Sequence, residues 1–260
     1  MRYGVLADVH GNLDALRAVL VALEHHGVDR YLVAGDLVGY GPHPNECVAA
    51  LAALPATCVA GNHDLIALGE LSDRRCIELG RRSLRWTRHV LGADERAFLA
   101  ALPRTATAPG GVLVAHGSLD DCEEYTTTRT QALAQLERIE GRAGARILVL
   151  GHTHRPLAFA RRSGWLRATR AALPASDAAL INPGAVGQSR ELRARARFAL
   201  LDLDLREARF FAIRYDIDAC RAALRGVGLS PRSCHLPPSL PLAAIRAVRA
   251  AVRPLAPRRR

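Results

Sequence analysis

The chain has no lysine, so all 36 of its basic residues are arginine. Against 25 acidic residues they leave a formal charge of +11 and a pI near 10.4. A surplus of that size invites a nucleic-acid or anionic-membrane partner. Arginine without lysine, beside abundant alanine, reads instead as a GC-rich coding bias, so nucleic acid stays a partner that is open but not favoured. Aromatic residues make up only 5% of the 260, which leaves a core to be built from Ala, Leu and Val. No apolar stretch reaches the roughly 20 residues of a membrane span, and no membrane partner is expected. Arg2 and a strand-like run follow Met1 with no signal-peptide core, so the expected location is cytoplasmic. None of the six cysteines forms a C-x-x-C pair. Cys47, Cys58 and Cys220 lie in apolar stretches and read as small buried hydrophobes. Structural disulfides would be unusual in that compartment. No internal repeat is apparent, and the length suits one large domain or one domain with an appendage.

What is present is an ordered alternation. Residues 3–7 form a short apolar run ending at Asp8, the pattern of a buried strand. Asn12 can cap a following helix whose apolar positions Leu13, Leu16, Val19, Leu20 and Leu23 recur at helical spacing. Residues 31–34 and 57–60 read as further strands, with a helix over 45–54 between them. Residues 72–102 are helical, polar and Arg-rich, and are expected to form a cap over the mouth of a site. Later strands are expected at 112–115, 147–150, 157–161, 165–169, 179–181, 197–203 and 209–215, with a helix over 130–139. The fold class expected is α/β, two β-sheets packed face to face as a sandwich with helices outside and a helical cap insertion. The main domain is placed at 1–216 and a C-terminal extension at 217–260. Within the extension a short helix is expected over 242–252, and the Arg-ended tail is expected to be disordered.

Five short strings carry the chemistry: Asp8-Val9-His10, Gly35-Asp36, Gly61-Asn62-His63-Asp64, His116-Gly117 and Gly151-His152-Thr153-His154. Each follows an expected strand, where parallel βα units place their ligands. The side chains are carboxylates, imidazoles and one carboxamide, with no thiolate. That mix suits borderline-hard divalent ions such as Mn²⁺, Fe or Zn²⁺. Asp8 and His10 are two apart, and strand geometry would send both to one face. Asp36 has two oxygens and can bridge two ions. His63 follows Asn62 directly, so its ring is expected to point away from the ion that Asn62 holds. An imidazole near neutral pKa suits proton transfer, and Asp64 is read as the carboxylate that orients it. His25, His26, His43, His89 and His235 fit no string and read as surface or packing residues.

Taken in order, the five strings resemble the calcineurin-like metallophosphoesterase superfamily, over residues 2–204. The resemblance implies two divalent metal ions, Mn²⁺ first, with Fe, Zn²⁺ or Ni²⁺ as alternatives. It assigns Asp8, His10, Asp36 and His154 to one ion, and Asp36, Asn62, His116 and His152 to the other. It also implies attack by a metal-bridging hydroxide on phosphorus, with His63 protonating the leaving oxygen. Residues 182–188, Asn-Pro-Gly-Ala-Val-Gly-Gln, are similar to a segment near the site in bacterial phosphodiesterase-like members. A tight structural turn is the alternative, and Arg195 or Arg197 is a further candidate for contacting phosphate.

One departure narrows the choice. Ser/Thr protein phosphatases of the superfamily carry an Arg after their Gly-Asp string that grips phosphate, and here Tyr40 stands in its place. Tyrosine is uncharged at neutral pH and cannot form a bidentate clamp. Gly39-Tyr40-Gly41-Pro42 with Asn45 looks like the bacterial and archaeal phosphodiesterase-type group. The expected function is therefore a metal-dependent phosphodiesterase acting on a small phosphate ester. A phosphomonoesterase or nucleotide pyrophosphohydrolase is the first alternative. A nuclease and a non-catalytic metal-binding scaffold stand behind it. Oligomeric state is left open.

Overall fold

The computed structural model describes residues 1–140 and 144–238. The helix expected over 242–252 and the Arg-ended tail lie outside the described residues. The chain opens as β1 (Arg2–Leu6), α1 (Leu13–His25), β2 (Arg30–Ala34), α2 (Pro44–Ala52) and β3 (Ala56–Val59). Then come α3 (Asn62–Leu68), a 3₁₀ turn at Asp73–Arg75, α4 (Glu78–Val90) and α5 (Ala93–Ala100). The middle holds β4 (Thr105–Ala108), β5 (Val112–Ala115), α6 (Arg129–Glu140) and β6 (Ile147–Val149). The remainder is β7 (Leu157–Ala160), β8 (Gly164–Leu166), β9 (Arg170–Ala172), β10 (Ala179–Asn182), β11 (Ala196–Asp202), β12 (Glu207–Ile213) and α7 (Ile217–Gly226).

These strands make two mixed sheets of six, ordered β3-β2-β1-β11-β12-β9 and β4-β5-β6-β10-β7-β8. The expected sandwich is present. In the first sheet β1, β2 and β3 run parallel, and in the second β5, β6 and β10 do. Alternation along each strand divides its side chains between two layers. Tyr3, Val5 and Ala7 turn inward with Leu32, Val114, Val149, Ile181 and Leu201 to form the core between the sheets. Leu6 and Val33 turn outward under Leu16, Val19 and Val48 of the covering helices. Leu148 and Leu180 do the same beneath Leu136 and Ile139 of α6. The scarcity of aromatics is visible here, since the inter-sheet core is mostly Val, Ala and Leu.

Two local differences from the sequence reading have simple causes. The strand expected over 165–169 stops at Leu166, and a separate strand begins at Arg170. β8 pairs with β7 in one sheet, whereas β9 pairs with β12 in the other, so the chain crosses the sandwich between them. β4 was not anticipated; its Thr-Ala-Thr-Ala run is short and pairs along the edge of the second sheet with β5.

The Arg-rich stretch after residue 72 is helical, and it meets the rest of the protein along its flank. The amide of Tyr40 donates to Ser83 Oγ at 3.0 Å, and Asn45 Nδ2 donates to the carbonyl of Val90 at 2.9 Å. The segment after β12 is also tied in. Cys220, Leu224, Leu229 and Cys234 form a small buried cluster. The Leu236 amide donates to Ser189 O at 2.9 Å, and His235 Nε2 donates to Glu191 O at 2.8 Å. No helix among the described residues is long and apolar enough to cross a membrane.

The segment between β10 and β11 crosses tightly against the end of β1 and the loop that follows it. Gly187 donates to Asp8 O at 2.9 Å and Val186 donates to Ala7 O at 3.0 Å. A Cβ at Gly187 would run into the carbonyl oxygen of Val9. Gly187→Ala should therefore lower stability by roughly 1–3 kcal/mol through overpacking, read as a fall in melting temperature. Gly226→Ala, where a Cβ meets nothing within 4 Å, should be neutral or stabilising by up to about 1 kcal/mol. Equal melting temperatures for the two variants would show that the crossing yields freely.

Candidate metal centre

The expected ligands converge at the carboxyl ends of the parallel strands. Asp8 and His10 follow β1, Asp36 follows β2, Asn62 opens α3 just after β3, His116 follows β5, and His152 and His154 follow β6. Among the described residues the clusters able to hold a cation are Asp8, His10 and His154; Asp36, His116 and His152; and His10, Asp36 and His63. Asn62 joins the second through Oδ1, 3.1 Å from His116 Nε2. All of these side chains are buried.

The way Asp8 and His10 come to point together differs from the strand argument. β1 ends at Leu6, and neither residue is in a strand. Both have left-handed backbones, with φ of 54° and 51°. Asp36, Tyr40, His152 and His154 are left-handed too, so among the described residues six of the seven non-glycine positions with positive φ surround this site. Each such residue costs of order 1–3 kcal/mol and persists where its surroundings over-determine it. Here they do. The His10 amide donates to Asp36 O at 2.9 Å, the Asp8 amide to Gly35 O at 3.0 Å, and the Gly151 amide to His116 O at 2.8 Å. A Cβ at Gly35 would lie 2.7 Å from His116 Nδ1, so glycine is required for the ring to approach.

Hydrogen bonds from behind set the imidazoles. His10 Nδ1 donates to Val38 O at 3.1 Å, His116 Nδ1 to Ala34 O at 2.6 Å, and His154 Nδ1 to Gln188 O at 2.8 Å. In the neutral ring each leaves Nε2 with a lone pair directed inward. Two of those nitrogens, on His10 and His154, face each other at 3.2 Å. Asp8 Oδ2 is buried with no hydrogen-bond partner. Facing lone pairs beside an orphaned carboxylate oxygen repel unless a cation lies among them, so the donor set fits a divalent ion. Burial holds His10 and His154 well below the usual imidazole range, and it brings His152 to about 3. Neutral imidazole is the metal-binding form. Burial also opposes charge on His116, but Asp36 and Asp8 outweigh it and lift the ring to about 9. Burial, with Asp36 adding, pushes Asp8 up to about 7. The carboxylates that raise the proton affinity of His116 would attract a divalent cation for the same reason.

Asp64 does not orient His63. Its Oδ1 accepts from the amides of Leu37 and Val38 at 2.8 and 3.1 Å, and Oδ2 accepts from Gly61 at 2.9 Å. The reason is helical geometry: Asn62, His63 and Asp64 are the first turn of α3, so adjacent side chains diverge, and Asp64 folds back as the capping carboxylate. Burial raises Asp64 to about 7, against the pull of these amides. His63 Nδ1 is left without a partner. Its ring is held between Tyr40, 4.7 Å away at 31°, and His10, 4.7 Å away at 72°, and its amide donates to Asp36 Oδ1 at 2.8 Å.

Residues 182–188 lie behind the site. Asn182 Nδ2 donates to Gly151 O and Thr153 Oγ1, and Gln188 O receives His154. Neither Arg195 nor Arg197 lines the cavity. Arg197 is paired with Glu191 at 2.6 Å, and Arg195 donates to Ala194 O. Arg190 instead lines the cavity of about 310 Å³ above the ligands, with Arg75, Ile77, Glu123, Tyr125 and Leu236. The sequence offered one signal for Arg190, its place directly after the 182–188 segment. It offered none for Tyr125.

Comparison with known proteins agrees with this fold. A family model described as a calcineurin-like phosphoesterase superfamily domain matches residues 1–206. An uncharacterized protein of Methanocaldococcus jannaschii, MJ0912, is 29% identical over 217 residues, covering 82% of this chain and 87% of that one. The crystal structure of a metallophosphoesterase from Sphaerobacter thermophilus is 32% identical with a TM-score of 0.77, covering 90% of this chain and 96% of the other. Hypothetical protein PH1004 of Pyrococcus horikoshii shares the fold at 19% identity and a TM-score of 0.73, with the same coverage.

A cation that relieves this repulsion must stabilise the fold by linkage. Adding Mn²⁺ to chelator-treated protein should raise its melting temperature, and Asp36→Asn should lose most of that rise. His63→Ala should keep it. A His63→Ala protein that no longer responds to Mn²⁺ would put His63 among the ligands.

Proposed function

The chain belongs to the calcineurin-like phosphoesterase superfamily, and we propose that it is a phosphodiesterase working with two divalent ions, Mn²⁺ foremost. In this reading Asp8, His10, Asp36 and His154 hold one ion, and Asp36, Asn62, His116 and His152 hold the other. Such a pair supplies a nucleophile at neutral pH and neutralises charge on the phosphoryl oxygens. The protein's own residues do the rest. Backbone carbonyls keep the imidazole hydrogens on the outer nitrogens of His10, His116 and His154, so their inner nitrogens stay free. Asp64 fixes the turn after β2 and the start of α3, and so positions Asp36 and Asn62 through the backbone. His63 lines the cavity and passes a proton to the departing oxygen. Residues 1–216 form the catalytic domain, and residues 234–236 of the extension steady the Ser189–Glu191 loop beside the cavity.

A charge count carries the preference for diesters. Tyr40 occupies the place of a phosphate-gripping arginine. It is buried and neutral, with a hydroxyl that burial pushes up to about 12. Arg75 faces the cavity but is ion-paired to Asp121 at 3.1 Å and to Glu123 at 3.3 Å. Arg190 makes its side-chain hydrogen bonds to Gln188 and Tyr125, neither of them acidic. Among the described residues that line the cavity, one guanidinium lacks a carboxylate partner, which suits the single charge of a diester. A monoester dianion would sit beside Glu123 with no second free guanidinium among those residues.

With the same metal, kcat/KM should be higher for bis-p-nitrophenyl phosphate than for p-nitrophenyl phosphate. The leaving group is common to both, so the ratio reports what else phosphorus carries. A monoester preference of tenfold or more would overturn the diesterase reading and leave the metal centre standing.

A further inference from the structure

We propose that the rim of the cavity is a nucleoside subsite, in which Tyr125 stacks the base of a nucleoside esterified to the phosphorus and Arg190 holds the adjoining phosphate oxygen. The inference rests on the phosphodiesterase reading and names the class of its substrate. The starting observation is an aromatic ring in an unusual place. In a chain with 5 tyrosines and 5 phenylalanines, Tyr125 is left 45% exposed, and it is exposed at the mouth of the metal cavity.

The ring is built in. It leans on the His152 imidazole, with centroids 4.3 Å apart at 44°, and its hydroxyl accepts from Arg190 Nη1 at 3.4 Å. The next residue, Thr126, is buried and donates to Gly117 O at 3.1 Å. Glu123 O, on the other side, accepts from His152 Nε2 at 3.1 Å. The loop carrying Tyr125 is thus attached at both ends to residues of the metal centre, and the ring is preorganised at little further entropic cost on binding.

The surroundings select among ligands. Ile77, 53% exposed, and Leu236 offer apolar surface on the same cavity. Arg75, Glu123 and Arg190 supply charge between them. Three charged side chains on that rim disfavour an acyl chain. It fits a flat, polar, aromatic group next to a phosphate, and bases stack on aromatic rings and guanidinium planes alike. Arg190 has donors to spare beyond Gln188 and Tyr125, and a guanidinium binds phosphate oxygens with charge-assisted hydrogen bonds.

The test compares two diesters with one leaving group, thymidine 5′-(4-nitrophenyl) phosphate and methyl 4-nitrophenyl phosphate. The thymidine ester should have the larger kcat/KM, by roughly 5- to 150-fold if one base stacks, with most of the difference in KM. Tyr125→Leu should collapse that ratio, and Tyr125→Phe, which keeps the ring, should retain most of it. Arg190→Gln should lower kcat/KM for both esters. Elemental analysis of each variant confirms that its metal is retained. Calorimetric binding of thymidine 5′-monophosphate against methyl phosphate provides a readout without turnover. It should favour the nucleotide at least tenfold in the natural protein and lose that margin in Tyr125→Leu. Hydrolysis of both esters at equal kcat/KM overturns the subsite and leaves the diesterase standing. If neither ester is hydrolysed, the diesterase reading fails, and the binding comparison alone decides the subsite: equal affinities overturn it, and a Tyr125-dependent margin sustains it.

Discussion

Two carboxylates, Asp8 and Asp36, are buried within reach of the same two imidazoles, His10 and His116, and Asp8 reaches His154 as well. Buried charge of this kind is costly unless something compensates it. Among the described residues no Arg or ammonium pairs with either carboxylate, and the compensation the protein supplies is protonation of His116 with amide donors from His63 to Asp36 and from His152 to Asp8. The features around the site follow from this constraint. Backbone carbonyls fix the ring tautomers, glycines let the rings approach, and left-handed residues turn successive side chains inward. The strain in that backbone is tolerable because two parallel strand sets deliver the loops from opposite sheets and each loop hydrogen-bonds the next.

The sandwich supplies the geometry that one sheet could not. The first sheet brings Asp8, His10, Asp36 and Asn62, and the second brings His116, His152 and His154. The crossing at Val186 and Gly187 ties the β1 loop to the segment before β11. From there Gln188 orients His154, and Arg190 reaches the cavity. Further along, the Ser189–Glu191 loop is itself pinned by Cys234, His235 and Leu236. The chain following α7 therefore bears on the substrate side of the site through contacts that its composition does not suggest.

The legible part of the site was the part written in short strings. Asp8, Asp36, Asn62, His116, His152 and His154 each stand beside a strand end, so locating the strands located the ligands. Strand positions in the second half were recovered for the same reason, apart from the division at 167–169, where pairing with two different sheets outweighed the local pattern. The errors came from treating neighbours in sequence as neighbours in space. Asp64 is one residue from His63, yet the first turn of α3 separates them and gives the carboxylate to backbone amides. Asp8 and His10 do point together, but a left-handed turn directs them, with no strand pleat involved. Tyr125 left no trace in the sequence and Arg190 only its place after the 182–188 segment, because they come together through a meeting between loops 65 residues apart, and no local pattern records such a meeting.

The central claim is that two cations resolve the buried charge. Crystals grown with Mn²⁺ and measured at the manganese absorption edge address it directly. The account predicts two anomalous peaks per chain, roughly 3.5–4 Å apart as in other two-metal sites. One should lie against Asp8, His10 and His154, the other against Asn62, His116 and His152, with Asp36 between them. A single peak at full occupancy, or a second peak away from Asp36, would contradict it.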